Sequence, residues 1–479
     1  MLSPSRRARL VSIAALLSGI VVAVGSRAGQ ACEGASFPSI TPAPQAASGP
    51  APPNLVLIVT DDQRWDTLFA MPNVRHLLGD HGVTFSNAFV TTPVCCPART
   101  SMLTGQYSRH TGVLDNQGPH GGAPAFSDRS TLATWLSGAG YETALVGKYL
   151  NGYPQLGRCY IPPGWSEWDA IATGPFDHYY NYSLSENGRL VPYGAQPADY
   201  QTTVLADRSK AFIAQANRPF FLYFAPSAPH RPANPAPQDV GAFDPPPPFH
   251  PPSYDERNIS DKPWDGSVPP LDPERMEEIA GIREHMLESL RSLDRTIGGI
   301  VGAIQAKGVL DNTVIAFTSD NGFLWGEHRL VSKAWPYEES IRVPLVFRVP
   351  WVAEGAGRTD PHLALNIDLA STFSELAGVK PGLPQDGRSL VPLLRGQDTS
   401  WRHAFDVEWL GRDLSSRGGT APYEGLRTNR YVYVEYTNGW RELYDLRRDP
   451  AELRNLAEDP KARALRSRLA ARLHASLST

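Results

Sequence analysis

The chain has 479 residues, 41 % of them apolar, and carries 45 Lys and Arg against 49 Asp and Glu, a formal charge of −4. That length supports one large domain with a smaller companion. The near balance of charge excludes a global electrostatic case for nucleic acid or an acidic membrane surface as partner.

Arg6, Arg7 and Arg9 precede an apolar run from Leu10 to Val24, with small residues around Ala28 and Ala31. The run is too short and too sharply ended to span a bilayer, so residues 1–31 are predicted to be an export signal. Ser5-Arg6-Arg7 and Ala31-Cys32 admit twin-arginine and lipoprotein alternatives. The expected location is secreted or attached to the cell envelope. No other apolar run is long enough to cross a membrane, so no integral membrane segment is expected once the signal is removed. Residues 32–53, rich in Pro, Ala and Ser, are predicted to be a flexible tether.

Asn54–Thr60 is a continuous apolar run, the pattern of a strand buried on both faces. Thr143–Val146, Phe220–Phe224, Thr313–Thr318 and Val343–Val349 repeat it, separated by helical patterns. The clearest of these runs from Glu274 to Lys307, with Ile279, Met286, Leu290, Leu293, Ile297, Ile300 and Ile304 at spacings of three and four. Alternation of this kind predicts an α/β domain over 54–385 with a large, mainly parallel sheet and helices on both faces. Pro232–Pro273 is Pro-rich and aperiodic, and is read as a functional loop that could wall a cleft. In residues 386–479, Tyr431–Tyr436 alternates, Glu442–Leu446 reads as a strand, and a helix is expected over roughly Pro460–Leu477. These predict a small antiparallel sheet with a covering helix.

Chemistry-bearing residues follow the buried runs. Asp61 and Asp62 come directly after the first, and Asp320-Asn321-Gly322 after Thr313–Thr318. Ligands bind at the carboxyl ends of strands in open parallel sheets. Hard oxygen donors there suit calcium, with magnesium as the alternative. Lys148 follows Thr143–Val146, His230 follows Phe220–Phe224, and His328 and Lys333 follow the Asp320 loop. Lysines at such an edge can hold an anion, and His230 is the better candidate for a general acid. His328 could orient Lys333, and His110 is a further loop histidine near the same region. Of the four cysteines, Cys32 falls in the leader, Cys95 and Cys96 are adjacent, and Cys159 is free to pair with Cys96. Adjacent cysteines project in different directions, which argues against a zinc cluster.

Cys95-Cys96-Pro97-Ala98-Arg99, followed by Leu103-Thr104-Gly105, resembles the sulfatase signature. The likeness extends from Asn54 to about Asn455 and takes in Asp61-Asp62, Gly147-Lys148, His230, Asp320-Asn321-Gly322, Gly326-Glu327-His328, Lys333 and Tyr337–Pro344. It implies an alkaline-phosphatase-like sandwich and hydrolysis of sulfate esters. It also implies that a formylglycine-generating enzyme converts Cys95 to formylglycine before folding. The hydrated aldehyde would offer one hydroxyl to attack sulfur and a second through which sulfate is expelled. By the same likeness Asp61, Asp62, Asp320, Asn321 and modified Cys95 form the metal cage. Arg99, four residues after Cys95, would hold the hydrate or the cage, and Lys148, His230 and Lys333 would act on the sulfo group.

Cys95-Cys96-Pro97, Gly147–Gly152, Tyr160–Trp168, Tyr179–Tyr182 and Glu186-Asn187-Gly188 resemble more narrowly the N-acetylglucosamine-6-sulfatase and heparan endosulfatase branch. This implies a sulfated sugar as substrate. Tyr160, Trp165, Trp168, Tyr179 and Tyr180 suit pyranose faces or a core equally. The rivals are an arylsulfatase or choline-sulfatase-like enzyme, a phosphate or phosphonate monoester hydrolase of the same fold, and a non-catalytic sulfated-glycan-binding relative.

Overall fold

The structure is a computed structural model that describes residues 30–31, 52–173, 179–263, 268–353, 355–397, 400–411 and 421–478. The expected export signal and tether lie outside these residues, apart from 30–31 and 52–53.

Among the described residues thirteen strands come before the small sheet: β1 (Gln30–Ala31), β2 (Asn54–Thr60), β3 (Gly82–Phe89), β4 (Glu142–Gly147), β5 (Glu167–Thr173), β6 (Tyr182–Glu186), β7 (Arg189–Tyr193), β8 (Phe220–Ala225), β9 (Thr313–Ser319), β10 (Leu324–Trp325), β11 (Val331–Ser332), β12 (Leu345–Arg348) and β13 (Arg358–Leu365). Eleven of them form one sheet in the order β1-β7-β6-β5-β4-β8-β2-β9-β12-β3-β13, and β10 and β11 make a separate hairpin. From β5 to β9 every neighbouring pair is parallel. The uninterrupted apolar runs mark four of these five strands, β4, β8, β2 and β9; no run announces β5. In β2, Leu55, Leu57 and Val59 enter one core while Val56 and Ile58 enter the other. Complete burial of both faces is why β2 cannot alternate polar with apolar residues. Each such side chain stabilises the fold by about 1.5–3 kcal/mol relative to exposure.

The helices Cys95–Thr104, Leu132–Gly138 and Asp368–Leu376 cover one face; Gln201–Gln215 and the long helix Pro273–Ala306 cover the other. The long helix starts where a cap allows it. The Asp272 carboxylate accepts from the backbone N–H of Arg275 at 2.8 Å, and Pro273 takes the first helical position.

Val343–Val349, read as one more strand of the parallel set, is β12 and runs antiparallel to both β9 and β3. The chain returns from β9 through the β10–β11 hairpin and the four-residue helix Glu338–Ile341, without the long crossover helix that usually joins parallel neighbours. β6 and β7 form a hairpin on Asn187 and Gly188, both in the left-handed region at φ 50° and 80°. This is the two-residue turn that matches strand twist.

β14 (Ala404–Trp409), β15 (Tyr423–Thr428), β16 (Tyr431–Tyr436) and β17 (Arg441–Asp445) form the small antiparallel sheet in sequence order. The helix Arg463–Leu477 covers it, seating Leu469 and Leu473 on Leu426, Tyr433 and Leu443. A shared core of Phe89, Trp335, Tyr337, Phe405, Val407 and Trp409 joins the two sheets. Leu390, Leu393, Leu394 and Trp401 pack into the large-sheet core. Among the described residues no helix is long and apolar enough to cross a membrane.

Candidate active site

Four adjacent parallel strands, β4, β8, β2 and β9, end at one edge and deliver Lys148, His230, Asp61 and Asp320 to it. Successive residues of an extended strand point to opposite faces. Asp61 and Asp62 nevertheless share one cluster, because Asp62 turns into the left-handed region at φ 66°. Its backbone N–H donates to Asp320 Oδ1 at 3.2 Å, which ties the ends of β2 and β9 together. Gln63 N–H donates to Ser319 Oγ at 2.9 Å and repeats the tie.

Cys95 is the first residue of the helix Cys95–Thr104, so its side chain sits at the positive end of the helix dipole. Val94 offers no side-chain cap there. Asn116 supplies one from a distant loop, its Oδ1 accepting from Cys96 N–H at 2.8 Å. No sequence motif marks Asn116, because its partner is a backbone group. Cys95 Sγ lies 2.8 Å from Lys333 Nζ and 3.5 Å from Asp61 Oδ1. Arg99 Nε donates to Asp320 Oδ2 at 2.7 Å, Nη2 lies 3.6 Å from Asp61 Oδ2, and Nη1 donates to the Lys148 carbonyl at 3.1 Å. Lys148 Nζ pairs with Asp61 Oδ2, and Lys333 Nζ with Asp62 Oδ1.

Three carboxylates thus face three permanent cations, and none of the six residues is more than 6 % exposed. Burial alone would raise the Asp61 and Asp62 carboxyls, but the charges of Lys148, His230, Arg99 and Lys333 around Asp61, and of Lys333 and His230 beside Asp62, hold both below the ordinary range. Asp320 is pushed up by burial and by Asp61, against Arg99 and the lysines. Burial also raises the Cys95 thiol, so an unmodified Cys95 is a protonated and poor nucleophile.

His230 Nδ1 lies 2.8 Å from the Arg231 carbonyl, which can only accept, so Nδ1 carries a proton and Nε2 is the nitrogen turned to the cluster. Nε2 is 3.7 Å from Asp62 Oδ2 and the side chain is 28 % exposed. It is the cluster's most open group.

The ligand atoms of Asp61, Asp62, Cys95 and Asp320 lie within 4.8 Å of one another. Asn321 Nδ2 donates to Asp62 Oδ1 at 2.6 Å, while its buried Oδ1 has no hydrogen-bond partner. Hard oxygens with one orphaned acceptor fit a divalent cation of the calcium or magnesium type.

Other candidates go elsewhere. His328 is fully buried, stacks on Tyr337 at 4.1 Å and places Nδ1 2.6 Å from Glu256 Oε2. Burial lowers its pKa to about 3, so it is a neutral structural ring rather than an acid. Glu327 is taken by Arg64 at 2.6 Å and by the Trp325 N–H. His110 pairs with Asp386 at 2.7 Å. Trp165, Trp168 and Tyr179 are core residues, at most 3 % exposed, so they offer no sugar platform. Cys96 is a free buried thiol whose pKa burial raises to about 12, and Cys159 is disulfide-bonded, so these two do not pair.

Comparison with known proteins identifies the lineage. The sulfatase family model matches residues 53–379, and the model for the C-terminal part of N-sulphoglucosamine sulphohydrolase matches residues 326–478. The chain is 32 % identical over 466 residues to human N-acetylglucosamine-6-sulfatase, covering 87 % of this chain and 83 % of that one. It is 37 % identical over 377 residues to the Drosophila melanogaster extracellular sulfatase SULF-1 homolog, covering 75 % of this chain but only 33 % of that longer protein. A structure solved in complex with its substrate D-glucosamine-2-N,6-O-disulfate superposes with a TM-score of 0.75 over 89 % of this chain and 98 % of that one. At 24 % identity that likeness speaks for the fold, an alkaline-phosphatase-like sandwich. With the sulfatase model spanning well over half of its length, the chain belongs to the sulfatase family of enzymes.

Proposed function

We propose that the protein is an exported sulfatase that hydrolyses sulfate esters of N-acetylglucosamine 6-sulfate type, with Cys95 matured to formylglycine and a calcium ion held by Asp61, Asp62, Asp320 and Asn321. The observation that carries this reading is the position of Cys95: first in its helix, 2.8 Å from Lys333 Nζ and 3.5 Å from Asp61 Oδ1. When present, the formylglycine hydrate supplies an oxygen nucleophile and the cation supplies electrophilic charge.

The side chains around Cys95 divide the remaining work. Lys333 Nζ lies against Cys95 and Lys148 pairs with the neighbouring Asp61, so a sulfo group at residue 95 would meet two ammonium groups that match the charge developing on its oxygens. Arg99 spans Asp320 and Asp61 and keeps both carboxylates aimed at the cage. His230, with Nδ1 held by a carbonyl, presents Nε2, 3.7 Å from Asp62 Oδ2, as the atom that gives a proton to the leaving alcohol.

The choice of sugar is supported by the human relative's name and by the motifs around Gly147–Gly152 and Tyr160–Trp168. The deciding assay compares kcat/KM for N-acetylglucosamine 6-sulfate, choline sulfate, nitrophenyl sulfate and nitrophenyl phosphate. The sugar sulfate is expected to be the best. A sugar that ranks last among the sulfates would remove the glucosamine assignment, and a dominant phosphate would point to the phosphomonoester rival.

A further inference from the structure

From Pro460 to the end of the chain there are five cations, Lys461, Arg463, Arg466, Arg468 and Arg472, and no carboxylate side chain, although the whole protein is net negative. The helix Arg463–Leu477 sorts these charges. Leu469 and Leu473 are buried against the small sheet. Arg468 and Arg472, one turn apart and both exposed, lean over a crevice of about 280 Å³ whose other wall is His403, Asn429 and Arg430. Neither guanidinium has a charge partner among the described residues, whereas Arg430 is neutralised by Asp445 at 2.6 and 2.8 Å.

Asn429 and Arg430, at the turn between β15 and β16, also line a second cleft of about 680 Å³. The two clefts therefore meet at this turn. The larger one is of mixed charge: Arg342, Arg427 and Arg447 line it together with Asp66, Glu338 and Glu339, and Arg342 and Arg427 share the carboxylate of Glu338. Its far wall is Arg64–Asp66, which directly follows Asp61–Gln63 of the cluster.

We infer that the Arg468–Arg472 crevice, which shares the Asn429–Arg430 turn with the larger cleft, is a docking track for a linear sulfated polysaccharide, which it holds while the strand-end cluster acts on the chain. The inference rests on the sulfated-glycan reading above. Unpaired guanidiniums suit sulfates and carboxylates, and Thr428, Asn429 and His403 between them suit the hydroxyls of a sugar backbone. An anionic membrane fits less well, because the apolar side of the helix is already buried and leaves nothing to insert.

The test measures heparin binding of the full chain across a salt series, with no turnover required. Arg468→Glu/Arg472→Glu is expected to weaken binding at least about tenfold and to reduce the dependence of log K on log salt by about two contacts' worth. Arg463→Glu changes charge roughly 140° around the same helix and is expected to leave binding within about twofold. Thermal melts check that each variant folds. Unchanged heparin affinity in the double variant, or an equal loss in Arg463→Glu, overturns the track. Wild-type binding to phosphatidylserine vesicles in preference to heparin overturns it in favour of a membrane. Because binding is read separately from hydrolysis, a protein that binds heparin but hydrolyses no sugar sulfate would contradict the proposed function and leave the track standing.

Discussion

Two buried polar regions lie on either side of the loop that carries Lys333, and they are built on opposite principles. In the strand-end cluster, three carboxylates and three cations come from five segments of the chain, and Asn321 Oδ1 is left without a partner. Around Glu442, both carboxylate oxygens are filled: Tyr337 and Tyr444 donate to Oε1 at 2.6 and 2.5 Å, and Tyr436 donates to Oε2 at 2.5 Å. A hub that satisfies its acceptors holds structure; a cluster that retains an open acceptor can still take a ligand. His328 belongs with the hub, since Glu256 occupies its Nδ1 and Tyr337 its face.

This contrast is breakable by mutation. The largest effect is expected at residue 95: Cys95→Ala and Cys95→Ser should each lose on the order of a thousandfold or more in turnover while melting near the wild-type temperature. Substantial activity in Cys95→Ala would remove that residue from the chemistry. Next, Lys148→Ala, Lys333→Ala and His230→Ala should each lower kcat by on the order of a hundredfold, measured per folded molecule. A Lys333→Ala enzyme with wild-type turnover on a small aryl sulfate would reject its assigned role.

Asp320→Ala should lose bound calcium and activity together, as read by elemental analysis and turnover. Stoichiometric zinc with neither calcium nor magnesium in active enzyme would contradict the cage. On the hub side the signature inverts. Glu442→Leu should cost about 3 kcal/mol in unfolding free energy, because three buried hydroxyls lose their acceptor. Its turnover per folded molecule should hardly move, and a large kcat loss without a stability loss would place the hub in the mechanism. The smallest effect is expected for Glu256→Gln. Burial raises the Glu256 carboxyl to about 7, so near neutrality it already has substantial acid character, and the amide can still donate to His328 Nδ1.

Chain order explains what could be read in advance. Short runs without alternation, rich in β-branched and aromatic residues, fit strands buried on both faces, so β2, β4, β8 and β9 and the groups following them were visible in sequence. The structure then brings Asp61, Lys148, His230 and Asp320 to one edge. β12 could not be oriented in advance, because direction depends on the connection rather than on the strand's composition. His328 looked like a site residue because it lies in the Lys333 loop; its burial depends on Glu256 and Tyr337, which no spacing rule links to it. Asn116 was silent for a similar reason, since it serves a backbone N–H twenty residues away. Trp165 and Trp168 were ambiguous because a core and a sugar platform need the same side chains.

The account stands on the chemical identity of residue 95. Mass spectrometry of the peptide that spans Cys95 and Arg99, taken from active enzyme made alongside a formylglycine-generating enzyme, should show the aldehyde or its hydrate in place of the thiol, in proportion to specific activity. Full activity in a preparation whose residue 95 is entirely unmodified cysteine would contradict it.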